Sequence, residues 1–151
     1  MEVFRALISD TTQRDRIERH AETEFGFLVE QSGAGRTRES DGDRTVLAYL
    51  LPDVFVEVEL DWVEAAAFAL VGTPADGARP GGYYVDGTGR KVRWHLVQAV
   101  ERRSDGAELA ARLRRVTRES GPEAMTSQVD ALAAAVRQAL PELPELVRQL
   151  T

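Results

Sequence analysis

The chain has 151 residues, 43% hydrophobic and 29% charged, with a formal net charge of −6. A globular chain of this size buries about 70% of its unfolded surface and needs no metal or disulfide to hold a core. The absence of cysteine excludes disulfides, thiolate metal sites, iron–sulfur clusters and cysteine nucleophiles, and the acidic balance gives a phosphate backbone no net attraction, so no nucleic-acid partner is expected.

No apolar run approaches the roughly 20 residues that span a bilayer, and Met1 to Asp10 carries an acid at position 2 and only a short apolar stretch. The expectation is a cytoplasmic protein with no membrane partner. Lys91 is the sole lysine and alanine is abundant; that arginine bias reads as genome composition rather than guanidinium chemistry.

In chain order, residues 2–24 read mostly as helix with a break near position 10. Phe4, Leu7 and Ile8 share one face, and Asp10, Thr11 and Thr12 offer N-caps for a stretch in which Ile17 and Ala21 repeat. Gly26 ends it, Phe27 to Gln31 reads as a strand, and Ser32 to Asp43 as a loop rich in Gly, Ser, Arg and Asp. Thr45 to Leu51 is the next strand. After the Pro52-Asp53 turn, Val54, Val56, Val58, Leu60 and Trp62 alternate with Phe55, Glu57, Glu59 and Asp61, the strongest strand signal in the chain. That period predicts Val56, Val58 and Leu60 against helices and Glu57 and Glu59 in water, so that Val58→Asp unfolds the protein and Glu59→Ala is nearly neutral.

Glu64 to Val71 is open between a helix begun by an Asp61–Glu64 capping box and a further strand; its length and Phe68, Leu70 and Val71 favour the strand. Gly72 to Gly82 is a loop, Tyr83 to Val85 a short strand, and Asp86-Gly87-Thr88-Gly89 a hairpin turn. Arg90 to Val100 fits a strand or a helix equally. Leu109, Leu113 and Val116 then mark a helix ending at Gly121, and Pro122 opens another with the stripe Met125, Val129, Leu132, Val136 and Leu140. Pro141 and Pro144 interrupt it, and Leu143, Val147 and Leu150 continue the stripe as a short helix. The expected fold is one α+β domain over residues 1–151: an antiparallel meander of four to five strands, an N-terminal helix, and two to three C-terminal helices in about 105–150.

Candidate chemistry is sparse. Glu57, Glu59 and Asp61 share one strand face at steps of about 6.6–6.8 Å, a spacing that suits paired carboxylates but equally a solvated acidic face. His20 and His95 lack metal-ligand spacing; His20 has Glu24 one helical turn away. Ser32 to Arg38 lacks the P-loop and dinucleotide patterns, and no serine lies in G-x-S-x-G. Arg90, Lys91 and Arg93 form one basic cluster; Arg112, Arg114, Arg115 and Arg118, interspersed with acids, form a second that reads as an ion-paired helix surface. No metal or other cofactor is expected.

Glu24-Phe25-Gly26-Phe27 followed by two strands ending in Val56-Glu57-Val58-Glu59-Leu60-Asp61 resembles small uncharacterised proteins of high-GC actinobacteria over the first half of the chain. It assigns no catalytic or binding position. Small acidic bacterial proteins of this layout also resemble immunity proteins that cap a toxin, an analogy at the level of fold. The expectation is a non-enzymatic, immunity-like or chaperone-like interaction module, its contact surface either the acidic sheet face or the stripe Leu140, Leu143, Val147 and Leu150, which would bind a protein partner or a second copy. The alternative is a small-ligand domain or minor enzyme with a pocket between sheet and helices near Tyr83, Tyr84, Trp94 and His95, with Glu57, Glu59 and Asp61 as polar groups.

Overall fold

The computed structural model describes residues 10–151, so the expected face of Phe4, Leu7 and Ile8 lies outside the described residues. Asp10 starts the first helix, its carboxylate accepting from the backbone N–H of Thr12 at 2.9 Å and Gln13 at 3.3 Å. Helix α1 (Thr11–Glu24) buries Ile17 and Ala21. Phe27 onward is not a strand. It forms α2 (Phe27–Glu30), in which the Gly26 carbonyl accepts from the Glu30 N–H at 2.9 Å, and Phe27 and Leu28 are buried. A run of three apolar residues ending in Glu30 is too short to separate helix from strand by period.

Five strands follow as an antiparallel meander in sequence order: β1 (Gly35–Ser40), β2 (Arg44–Leu50), β3 (Phe55–Asp61), β4 (Ala66–Gly72) and β5 (Trp94–His95). The expected loop from Ser32 to Asp43 is thus half strand. Its turn is built by Asp41, whose carboxylate accepts from the N–H of Asp43 at 2.8 Å and Arg44 at 3.0 Å. Val56 sits opposite Tyr49 and Val71, Val58 opposite Leu47 and Ala69, and Leu60 opposite Thr45 and Ala67. These apolar residues are the sheet's contribution to the core, as the alternation predicts. Asp61 does make a cap, accepting from Val63 N–H at 3.0 Å and Glu64 N–H at 2.9 Å, but the turn it closes leads into β4.

Tyr83 to Val85 is not a regular strand; one bridge, Val85 to Lys91, closes the turn in which Asp86 accepts from Thr88 and Arg90 N–H groups. The segment from Arg90 to Val100 divides at His95. Before it lies β5, and after it α3 (Leu96–Val100), begun by the His95 N–H donating to Gln98 Oε1 at 2.9 Å.

Helices α4 (Ala107–Val116), α5 (Pro122–Ala139) and α6 (Leu143–Leu150) complete the chain. The α5 stripe is buried, and Gln128 with it: its Oε1 accepts from Ala67 N–H at 2.7 Å, and its Nε2 donates to the carbonyls of Glu119 at 2.7 Å and Val116 at 3.2 Å. One side chain thereby joins β4, α4 and α5. The C-terminal stripe is not a free surface. Leu143 and Val147 are fully buried, and Leu140 and Leu150 pack against the same core, because Pro141 ends α5 and lets α6 turn back onto α3 and β4.

Candidate functional site

The sheet face turned away from the helices carries the expected acids. Phe55, Glu57, Glu59 and Asp61 of β3 lie between Leu50, Ala48, Val46 and Arg44 of β2 and Gly72, Leu70, Phe68 and Ala66 of β4. This face is not open to water. Glu57 and Glu59 are each only 2% exposed, because residues 73–93 fold back across them. Gly72 permits the crossing: a Cβ there would collide with the Phe55 ring and the Val92 carbonyl.

Arg93 fastens this segment. Its guanidinium grips Glu57 through two bonds, Nε to Oε1 at 2.8 Å and Nη2 to Oε2 at 3.0 Å, with both side chains nearly sealed from solvent. It also donates to the backbone carbonyls of Pro80 and Tyr83 at 2.9 Å and of Gly82 at 3.4 Å. Arg79 adds a bond to Glu57 and one to Glu39 at 3.1 Å. Two guanidiniums and three carbonyls therefore organise around one carboxylate.

Glu59 has its own partners. Arg44 donates to it at 3.0 Å, and Arg44 in turn lies 5.0 Å from the centre of the Tyr83 ring. Burial pushes the Glu59 carboxyl above the ordinary 4.5, against the pull of the Tyr83 hydroxyl and Arg44. Burial, followed by the bond to Glu59, also raises the Tyr83 hydroxyl, which keeps its proton. Beside them Tyr84 Oη and His95 Nε2 are 2.9 Å apart, and the His95 ring lies 5.4 Å from that of Phe68. Burial, then the Lys91 charge, lowers the His95 imidazole below 6.5, holding it neutral at pH 7.

Of the residues expected to line a ligand site, the structure gathers Glu57, Glu59, Tyr83, Tyr84 and His95 on this face. Trp94 is not among them. It faces the core on the opposite side of β5, 6% exposed, with the Lys91 ammonium 5.9 Å from its ring centre. Asp61 is committed to the β3–β4 turn. Arg44 and Arg79 were not singled out from the sequence, and Arg93 only as part of a basic cluster; a strand with buried-register acids asks for such counter-charges, but their distance along the chain hides them. Both Glu57 oxygens are engaged by arginine, so this carboxylate is a structural anchor rather than a free general base. A groove of about 200 Å³ between β4, α3, α4 and α5 is lined by Phe68, His95, Leu96, Leu113, Thr117 and Leu132, and a second of about 400 Å³ is lined by Gly35, Thr37, Ala48, Leu50, Ala78 and Arg79. The first is smaller than the roughly 300–1,000 Å³ of drug-sized ligand sites, and the second lies within that range, with no convergent free polar groups beyond the paired Arg79.

The most accessible regular element is β1, exposed at all six positions. The Asp41 N–H bonds the Arg44 carbonyl at 3.0 Å. Because hydrogen-bonded pairs alternate along an antiparallel ladder, Asp41, Glu39, Thr37 and Gly35 point their backbone groups at β2, and Ser40, Arg38 and Arg36 point theirs outward. The Arg36 side chain pairs with Glu22 at 2.8 Å, and that of Arg38 with Glu18. Arg36 and Arg38 thus belong to a strand edge and not to a phosphate-binding loop.

No helix among the described residues is long and apolar enough to cross a membrane. Comparison with protein-family models, with curated proteins and with solved structures finds no match to this chain.

Proposed function

We propose that the protein is a non-enzymatic interaction module that receives an extended segment of a partner protein along the outer edge of β1. The observation that carries this reading is the edge itself: a regular strand, exposed at all six positions, whose outward N–H and C=O groups belong to Arg36, Arg38 and Ser40. Support also comes from the acids of β3, which serve as anchors for residues 73–93 and leave no free carboxylate pair for catalysis.

A second copy is a poor occupant of this edge. Two-fold antiparallel pairing through the outward groups sets residues of like parity opposite each other, so the registers of greatest overlap place Arg38 against Arg38 or Arg36 against Arg38. Two long arginine side chains, each already held by a glutamate of its own α1, are then crowded face to face. Because Arg36 and Arg38 are already paired with Glu22 and Glu18, the edge takes an extended partner segment through backbone hydrogen bonds rather than through charge. This is an immunity-like or chaperone-like mode, in which one protein covers another.

The test is site-specific photocrosslinking in cells from position 37, whose exposed side chain flanks the edge. Arg38→Pro removes an outward N–H and no bond to β2, so it abolishes the crosslinked partner while circular dichroism and melting stay close to wild type. Arg38→Ala, which removes the side chain but keeps the N–H, retains the crosslink, and mass spectrometry places it in an extended segment of the partner. An undiminished crosslink in Arg38→Pro refutes the edge reading, as does a crosslink absent from wild type.

A further inference from the structure

The geometry points to a divalent transition-metal site between α1 and α5, formed by His20, Glu24 and Asp130. The ligand atoms of these side chains lie within 4.8 Å of one another, with His20 Nε2 2.7 Å from Asp130 Oδ1. Four-coordinate zinc, with ligand bonds of about 2.0–2.1 Å, sets its donors about 3.3 Å apart. The His20–Asp130 pair is closer than that value and no pair exceeds it by more than about 1.5 Å, so side-chain rotations of that size bring the three donors around one ion.

The backbone supports are rigid. His20 lies inside α1 and adjoins buried Ala21; Glu24, one turn on, is the last residue of α1 and adjoins buried Phe25; Asp130 lies within α5 and adjoins buried Val129. The packed interface between the two helices fixes where the side chains emerge, and ligands set on helices are held more closely than ligands on loops. His20 and Asp130 keep 31% and 54% of their side-chain surface in water, which leaves the remaining coordination positions to water. One imidazole with two carboxylates favours a borderline ion such as zinc over calcium or magnesium, which want oxygen alone. The bound cation would also neutralise two carboxylates and pin α1 to the C-terminal helices. The sequence gives no such indication because the third donor comes from 110 residues away.

The test is isothermal titration of the metal-free chain with zinc chloride at pH 7, repeated with magnesium chloride and on Glu24→Gln and Asp130→Asn, with melting curves alongside. The expected result is one equivalent of zinc, no magnesium uptake, and a midpoint about 5–10 °C higher at a hundredfold excess over the dissociation constant. Glu24→Gln leaves the His20–Asp130 bond intact yet weakens zinc at least about tenfold, and Asp130→Asn does the same. The site is refuted if wild type takes up no zinc, if zinc binds equally to both variants, or if magnesium binds as well as zinc. A failure here leaves the β1 edge untouched, since neither variant alters that strand.

Discussion

Glu57→Ala removes the carboxylate on which Arg93 and Arg79 converge. Glu57 and Arg93 are 3% and 5% exposed at their side chains, so the substitution leaves a buried guanidinium whose remaining partners include the carbonyls of Pro80, Gly82 and Tyr83 and the Phe55 ring, but no carboxylate. Breaking one side of a buried pair costs about 3–5 kcal/mol, against about 0–1 kcal/mol for an exposed pair. At about 2–4 °C per kcal/mol for a chain of this size, the melting midpoint falls by about 6–20 °C. Thermal and urea melts of Glu57→Ala, Arg93→Ala and the double variant measure it, and the double-mutant cycle isolates the pair from the packing lost with each side chain. Coupling shows as a double variant less destabilised than the sum of the two singles. A Glu57→Ala protein within about 0.5 kcal/mol of wild type would mean that the carboxylate stands in water as an ordinary surface acid, and the account of the covered face would be wrong.

Glu59→Gln tests the neighbouring acid by pH. Burial raises its carboxyl above 4.5 in the fold, so its contribution to stability is fully present below the unfolded value and is lost as pH rises through the folded one; the glutamine variant therefore matches wild type at about pH 3 and gains on it toward pH 7 in urea melts. A constant difference across that range would contradict the assignment. Gln128→Leu orphans the Ala67 N–H and the Val116 and Glu119 carbonyls, which lowers stability by about 1–3 kcal/mol in the same assay. Truncation after Leu140 removes buried Leu143, Leu146 and Val147 and abolishes the cooperative melt; a folded, truncated chain seen by light scattering as half the mass of the parent would instead restore the C-terminal stripe to a dimer interface.

Elements whose apolar residues repeat at the period of their own secondary structure were legible. The α5 stripe and the β3 alternation report the period of their own secondary structure, and Pro122 marks a helix start through a fixed φ and a missing N–H. β1 was not legible because all its side chains are exposed, so its sequence, Gly-Arg-Thr-Arg-Glu-Ser, has no hydrophobic period and matches a loop in composition. What makes it a strand is the pairing of Gly35 to Ser40 with Leu50 to Thr45, and the ladder belongs to β2 as much as to β1. Phe27 failed for another reason: three apolar residues and Glu30 make a single turn, too short to carry a phase.

The candidate site shows where pattern reading stops. Period-2 alternation established which β3 residues meet the helices, and that part holds for Val56, Val58 and Leu60. It cannot establish that the other face is open, since a cover may come from anywhere in the chain. Here it comes from Arg79 and Arg93, 22 and 36 residues beyond Glu57. The arginine bias that reads as genome composition also has a local physical use. One planar guanidinium at Arg93 satisfies two carboxylate oxygens and three backbone carbonyls at once, whereas a lysine ammonium offers three donors from a single atom and cannot span that arc. Composition alone is therefore a poor guide to which arginine matters; the deciding signal is a buried acid in register with no counter-charge on its own strand.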